Sequence, residues 1–369
     1  MKGVYDISDF GATGDGQTDD SSAIQAAIDM AKKYHGGVVW FPPGNYRLGM
    51  GIVIEEFVTL VGVGWSNNPH VGTWIYVDDT EIKPFSIKAG GVVMRDIGIF
   101  HKQPNPSLDW KPLEYEFAIS IQADDVKLQN ICLFNPTLGI LLDRPGMSTG
   151  RIVLDGIYGQ PLAQGIRIDN ANDIIRINNV HFWPYWSNDD IVRNYTHGVA
   201  EGITSYRNDN PFFSNIFIFG YNKGMHFSIN SNGSTNKFHI ANADIDICHT
   251  ALLIDGNSTS GQLVNFTSQG REEFETAIHV DANDVTVQCS NIRLQTYGNN
   301  CIRVNGLRTS LYFENLWCGD WNRSGNGFPA IEARNGANIK IGKASLDFDP
   351  GLRGKEQFGE VGGNIELDL

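Results

Sequence analysis

Two aspartates lie two residues apart in an alternating run, Ile240-Ala241-Asn242-Ala243-Asp244-Ile245-Asp246. If the run is a strand, Asp244 and Asp246 share a face. Neighbouring carboxylates raise one another's pKa and keep one protonated, the state a general acid needs. Glycoside hydrolysis uses two carboxyl groups about 5–10 Å apart. Glu273, on the loop edge one rung further on, is placed to supply another. His279 could steady a carboxylate or an acidic substrate. Asp244, Asp246, Glu273 and His279 are therefore the expected catalytic residues. The competing reading is that strand-surface acids are merely solvated or ion-paired.

Sugar rings present flat C–H faces, which aromatic side chains can cover while nearby polar groups fix orientation. His181, Trp183, Trp186, His226, Arg293, Tyr297, Arg303, Trp317 and Trp321 are the expected substrate-binding residues. The longest loop, from His181 to Asp190, is expected to be exposed by its Pro and Asn content. A second chemistry is open: a cation neutralising a uronate carboxylate and a base taking the C5 proton describe a lyase or epimerase. Arg167, His226, His279 and Arg303 suit it, although Asp143, Asp169, Asp255 and Asp281 follow these strands and could simply pair with them. No metal or cofactor is expected. Asp15, Asp19 and Asp20 lack calcium-loop spacing and read as turn and helix-cap residues.

These residues need a scaffold that brings distant segments to one wall. A pattern of small, apolar, variable and usually apolar residues recurs, as in Gly139-Ile140-Leu141-Leu142, Gly165-Ile166-Arg167-Ile168 and Ala277-Ile278-His279-Val280. The spacings run from about 21 to 29 residues, with one of about 37. Such a repeat reads as one solenoid coil per unit. In phase with it run Asp96, Asn130, Gly156, Asn179, Asn215, Asn242, Asn265, Asn291 and Asn315. Asn, Asp and Gly tolerate left-handed backbone, and stacked Asn side chains can bond from coil to coil. The pattern predicts an all-β, single-stranded parallel β-helix over residues 1–369 as one domain. Equivalent outward residues would then form stripes, and Cys132 is expected on one of them. One helix precedes the repeat, spanning about residues 19–35. Ile24, Ala27, Ile28 and Ala31 form its apolar face, Gly36-Gly37 stops it, and it would cap the first open coil.

The opening segment carries a resemblance. Asp9-Phe10-Gly11-Ala12-Thr13-Gly14-Asp15-Gly16-Gln17-Thr18-Asp19-Asp20, the helix from Ala23 to Ile28, Gly36-Gly37-Val38-Val39 and Phe41-Pro42-Pro43-Gly44-Asn45-Tyr46 resemble the N-terminal signature of the pectate-lyase-like β-helix superfamily. That superfamily includes polygalacturonase-like hydrolases, polysaccharide lyases, sugar epimerases and bacteriophage tailspike depolymerases. The resemblance implies a right-handed coil, a polysaccharide partner, a homotrimer, and an extracellular or virion-borne location. The full polygalacturonase set of N-T-D, D-D, G-H-G and R-I-K is absent, as is the D-P-H motif of mannuronan epimerases. The expected function is polysaccharide cleavage by paired carboxylates. The alternatives are a uronate lyase or epimerase, and a glycan-binding spike without catalysis.

Bulk properties narrow the partners. A formal net charge of −14 argues against nucleic acid and anionic membranes, and no apolar run is long enough to span a bilayer. No secretory signal is read at the start, where Met1-Lys2-Gly3-Val4-Tyr5-Asp6 has no apolar core. The five cysteines lack C-x-x-C spacing and are expected to be reduced and mostly buried.

Overall fold

The computed structural model describes residues 3–271, 275–347 and 357–368. The chain is 52% strand and 8% helix, a parallel β-solenoid of about 13 turns. It divides into two compact units, Met1–Tyr195 and Thr196–Leu369.

In the first unit, α1 (Ser21–Lys33) buries Ile24, Ala27, Ile28 and Ala31. Its start is held differently from the simple expectation. Asp19 Oδ1 accepts from the Ser21 amide and hydroxyl, while Asp20 turns away to take the amides of Thr13 and Gly14. Asp15 closes the neighbouring turn by accepting from the Gln17 and Thr18 amides, and these bonds hold its pKa down near about 2. Long strands at Val93–His101, Lys127–Leu133, Val153–Gly159 and Arg176–Phe182 stack in parallel register. Short strands at Ile52–Ile54, Phe85–Ile87, Ile119–Ile121, Leu138–Leu142 and Gln164–Ile168 form a second parallel stack.

The second unit repeats this plan. Its long strands are Phe212–Phe219, Phe238–Asp246, Ser260–Gln269, Thr286–Gln295, Ser310–Gly319, Asn338–Asp347 and Asn364–Leu367. Its short strands are Glu201–Ser205, Lys223–Phe227, Thr250–Ile254, Thr276–Asp281, Ile302–Asn305, Ile331–Arg334 and Phe358–Val361. Inward positions of successive rungs, such as Ile240, Leu263, Phe266, Ile292 and Leu316, are buried. Fully burying each such side chain contributes roughly 1.5–3 kcal/mol before entropy is counted.

The polar corner column forms as expected. Asp96, Asn130, Gly156, Asn179, Asn215, Asn242, Asn265 and Asn291 all have left-handed φ between 51° and 73°. In the second unit Nδ2 of Asn242, Asn265, Asn291 and Asn315 each donates to Oδ1 of the preceding Asn, at 3.4, 3.0, 3.0 and 3.2 Å. In the first unit Asn130 Nδ2 donates to Asp96 Oδ1 at 2.7 Å. The long strand therefore bends at this column, and side chains beyond it face a different direction from those before it.

Two expectations are corrected. A second helix, α2 (Asp190–Val199), occupies the interval of about 37 residues where only a loop was expected. Its sequence is poor in strong helix formers. Asp189 Oδ1 caps the Ile191 amide at 2.8 Å, and Val192 is buried against Trp110 and Leu162. Cys132 stands on the outward side of its strand but is buried, because Trp74 and Phe134 pack over it. All five cysteines are buried and unpaired. Among the described residues, no helix is long and apolar enough to cross a membrane.

Candidate functional site

Beyond the Asn corner in the second unit, two outward columns run side by side. One is Phe217, Asp244, Thr267, Arg293, Trp317 and Ser345. The other holds Phe219 and Asp246 on adjacent rungs, then Gln269, Gln295, Gly319 and Asp347. The Gln269 amide donates to Asp246 Oδ1 at 2.9 Å and joins the two runs. Adjacent rungs lie about 4.8 Å apart.

Asp244 and Asp246 are hydrogen-bonded to each other. Burial, then the charge of Asp244, pushes Asp246 up to about 6. Burial also raises Asp244, against the opposing pull of its bond to Asp246 and the positive charge of Arg293. Of the two, Asp246 is the carboxyl that holds a proton to higher pH. Asp244 Oδ1 is buried and has no hydrogen-bond partner among the described residues. Next to Asp246 the chain takes a left-handed conformation at Ile247, φ 54°. A β-branched residue pays about 1–2 kcal/mol there, so local strain stands beside the dyad.

Arg293 and Trp317 form the wall of the site. The guanidinium sits 5.0 Å from the indole centroid, and Trp317 Nε1 donates to Asp347 Oδ2 at 2.7 Å. Gly319 makes room for this ring: a Cβ there would come within 2.5 Å of it. Gln295 links the columns, accepting from Arg293 at 3.2 Å and donating to Gln269 at 2.9 Å. Arg293, Trp317 and Lys343 line a groove of about 440 Å³ on the same strand halves.

The other expected residues are placed as follows. Glu273 lies outside the described residues. His279 and Arg303 occupy neighbouring rungs of the short-strand sheet, so they do not share a strand face with the dyad. Burial and then the Arg303 charge lower the His279 pKa, leaving a neutral imidazole. Arg303 Nε lies 3.4 Å from Glu332 Oε2. His226 is engaged at both nitrogens, 3.0 Å from Glu201 and 2.9 Å from Asp255. Tyr297 and Trp321 are corrected: both are 0% exposed and offer no ring face to a sugar. The Tyr297 hydroxyl is bonded to Ser268 inside the coil.

His181, Trp183 and Trp186 belong to the first unit. Trp183 is 42% exposed, whereas Trp186 packs 5.9 Å from Trp110 and His181 lies 5.8 Å from Tyr185. Sequence reasoning missed Gln269 and Gly319 as site residues. Their positions one and three rungs from Asp246 were the available signal.

A family profile described as rhamnogalacturonase A/epimerase, pectate lyase-like, matches residues 4–74. Alginate lyase 7 of Azotobacter vinelandii is 49% identical over a 67-residue alignment that covers 16% of this chain and 8% of that protein. The Dettilon tailspike protein superposes with a TM-score of 0.58 at 14% identity, over 99% of this chain and 68% of that one. PfbA, a surface adhesin of Streptococcus pneumoniae, gives 0.56 at 14% identity, over 99% and 90%. Residues 4–74 therefore resemble the pectate-lyase-like family, and the chain has the parallel β-helix fold. The N-terminal match carries the sequence kinship of this β-helix protein, and the two structural likenesses carry its fold. The matched segment ends at residue 74, well before Asp244, so the dyad must be argued from its own geometry.

Proposed function

We propose that the chain cleaves an extracellular polysaccharide by glycoside hydrolysis, with Asp246 as the general acid. The observation that carries this reading is the paired Asp244 and Asp246 carboxyls on an outward face, where burial and then the Asp244 charge raise Asp246. A carboxyl group still protonated near pH 6 can pass its proton to the glycosidic oxygen as the C–O bond breaks. Asp244 is hydrogen-bonded to it and thus too close to act as the second carboxyl across the bond, which needs about 5–10 Å. That role, deprotonating water as its oxygen joins the anomeric carbon or attacking that carbon directly, is assigned to Glu273. Trp317 supplies a flat contact for a ring, and Arg293 with Gln269 and Gln295 supplies polar contacts.

A screen of purified polysaccharides with mass analysis of products tests this. New reducing ends without ultraviolet absorbance support hydrolysis. Asp246→Asn should then lower kcat by about 10²–10⁴-fold. Full activity in both Asp246→Asn and Glu273→Gln would sink the assignment. A second reading rests on His279: a neutral imidazole beside Arg303 suits C5 proton abstraction from a uronate. Unsaturated, ultraviolet-absorbing products would establish β-elimination, and inverted uronates in an uncut polymer would establish epimerisation. Binding with neither outcome leaves a glycan-binding spike. The homotrimer and the extracellular or virion-borne setting are part of the same proposal, and sedimentation equilibrium tests the first.

A further inference from the structure

The half of each long strand before the Asn corner carries a separate outward column. It runs Phe212, His239, Gln262, Gln288, Tyr312 and Lys340, one residue per rung. Aromatic rings stand at Phe212, its first position, and at Tyr312, next to the terminal Lys340. Phe212 is 40% exposed and stacks on His239 at 4.6 Å and 12°, and Tyr312 is also 40% exposed. Between them the side chains bond in sequence: His239 Nδ1 lies 3.2 Å from Gln262 Oε1, and Gln262 Nε2 donates to Gln288 Oε1 at 3.2 Å. Beside the column lie Val264, Ser290, Glu314 and Gly342, with Ser290 Oγ donating to Glu314 Oε2 at 2.6 Å. With Gln262, Gln288, Tyr312 and Lys340 they line a groove of about 530 Å³.

We infer that this groove is a second carbohydrate-binding surface, separate from the Asp244–Asp246 site, which holds an extended glycan along the rungs. The inference rests on the reading that the chain acts on a polysaccharide. Three features select this ligand. Half-exposed rings flank the carboxamides and can cover sugar C–H faces. The carboxamides between them are fixed by mutual bonding, so their remaining donors and acceptors meet hydroxyls without first being ordered. The step between rungs, about 4.8 Å, is close to the advance of one pyranose residue along an extended chain. Phe212 and Tyr312 stand four rungs apart, about 19 Å, a span that suits several sugar residues. Between the two rings the column presents an imidazole and two carboxamides, which suit hydroxyl contacts, while charge enters the groove at Glu314, Lys340 and Asp368, with Lys340 Nζ 3.4 Å from Asp368 Oδ1.

The test uses Asp246→Asn full-length protein, in affinity electrophoresis through gels containing alginate, polygalacturonate or a neutral α-glucan. Retardation by at least one polymer is expected. Adding Phe212→Ala and Tyr312→Ala should weaken it by about tenfold or more, the scale of losing two ring contacts. Val264→Arg, which fills the groove and leaves the rings in place, should do the same. Thermal melting identifies any variant that fails to fold, and the remaining variant then decides. Retardation unchanged in the folded variants overturns the inference, as does no retardation by any polymer. Ring variants that instead split an oligomer in sedimentation also overturn it, since the face is then a contact between copies. Loss of cleavage with retained retardation separates the two sites. Cleavage persisting in Asp246→Asn would refute the dyad assignment and leave this surface standing.

Discussion

Replacing Asp246 with asparagine separates two effects of one proton. The introduced carboxamide can still donate to Asp244 and accept from the Gln269 amide, but it cannot titrate. In the native protein the Asp246 pKa is raised from 3.8 to about 6. The folded state therefore binds the proton more tightly than the unfolded state, and this contribution to stability is lost as pH rises from about 4 to 6. Asp246→Asn should accordingly melt higher than the native protein above pH 6, with the gap closing below pH 4, while cleavage is lost. Asp244→Asn removes the negative neighbour, so Asp246 should release its proton at lower pH. The alkaline limb of the kcat profile should shift downward, and a limb that stays in place would separate Asp246 from catalysis. Not all of this site was legible in the sequence. Alternation placed Asp244, Asp246, Arg293 and Trp317 correctly. Tyr297 and Trp321, expected as sugar-binding rings, are buried because Thr296 and Asp320 have φ of 60° and 53°, which turn the chain inward just past the strand ends. A period of two cannot be carried across a left-handed residue.

At the scale of elements, the Asn column combines a backbone role with a side-chain role. Asn265 has φ 52°, donates to Asn242 and accepts from Asn291. Asn265→Gly loses the two bonds but keeps the conformation, whereas Asn265→Ala also strains the backbone by about 1–2 kcal/mol. Chemical denaturation should therefore rank native, Gly, then Ala. This column was readable because its residue types repeat in phase with the apolar pattern. α2 was not, since its formation depends on Val192 meeting Trp110 and Leu162 rather than on local propensity. The short-strand sheet carries its own pH dependence. Burial opposes the charge on His226, but bonds to Asp255 and Glu201 outweigh this and raise its pKa. Its stabilisation is complete below pH 6.5 and lost as pH rises through the raised value. Glu201, brought down to about 2 chiefly by His226 and Lys223 against the cost of burial, contributes above pH 4.5 and weakens as pH falls toward 2. His226→Gln should flatten the decline in melting temperature above pH 6.5. An unchanged slope would show that the His226 network is not its source.

For the molecule as a whole, each rung is coupled chiefly to the two beside it. Phe266 is fully buried in the second unit, between rungs that carry Ala243 and Ile292. Phe266→Ala should cost about 3–5 kcal/mol. Hydrogen exchange should then quicken first in Phe238–Asp246 and Thr286–Gln295, and later in Asn338–Asp347. Uniform loss of protection across the unit would contradict nearest-neighbour coupling. The repeat was visible in the sequence because a coil cannot bury its apolar face alone and must restate it at every turn. Chemistry has no such obligation. It occupies single outward positions such as Asp246, which periodicity can place on a face but cannot distinguish from solvated neighbours.

The corner amides of Asn242, Asn265, Asn291 and Asn315 each donate toward the earlier coil. Four consecutive bonds of one sense align their dipoles, giving the wall an electrical head and tail. A polymer with distinguishable ends that lies parallel to this row meets unequal fields in its two orientations, so the wall has a built-in reading direction.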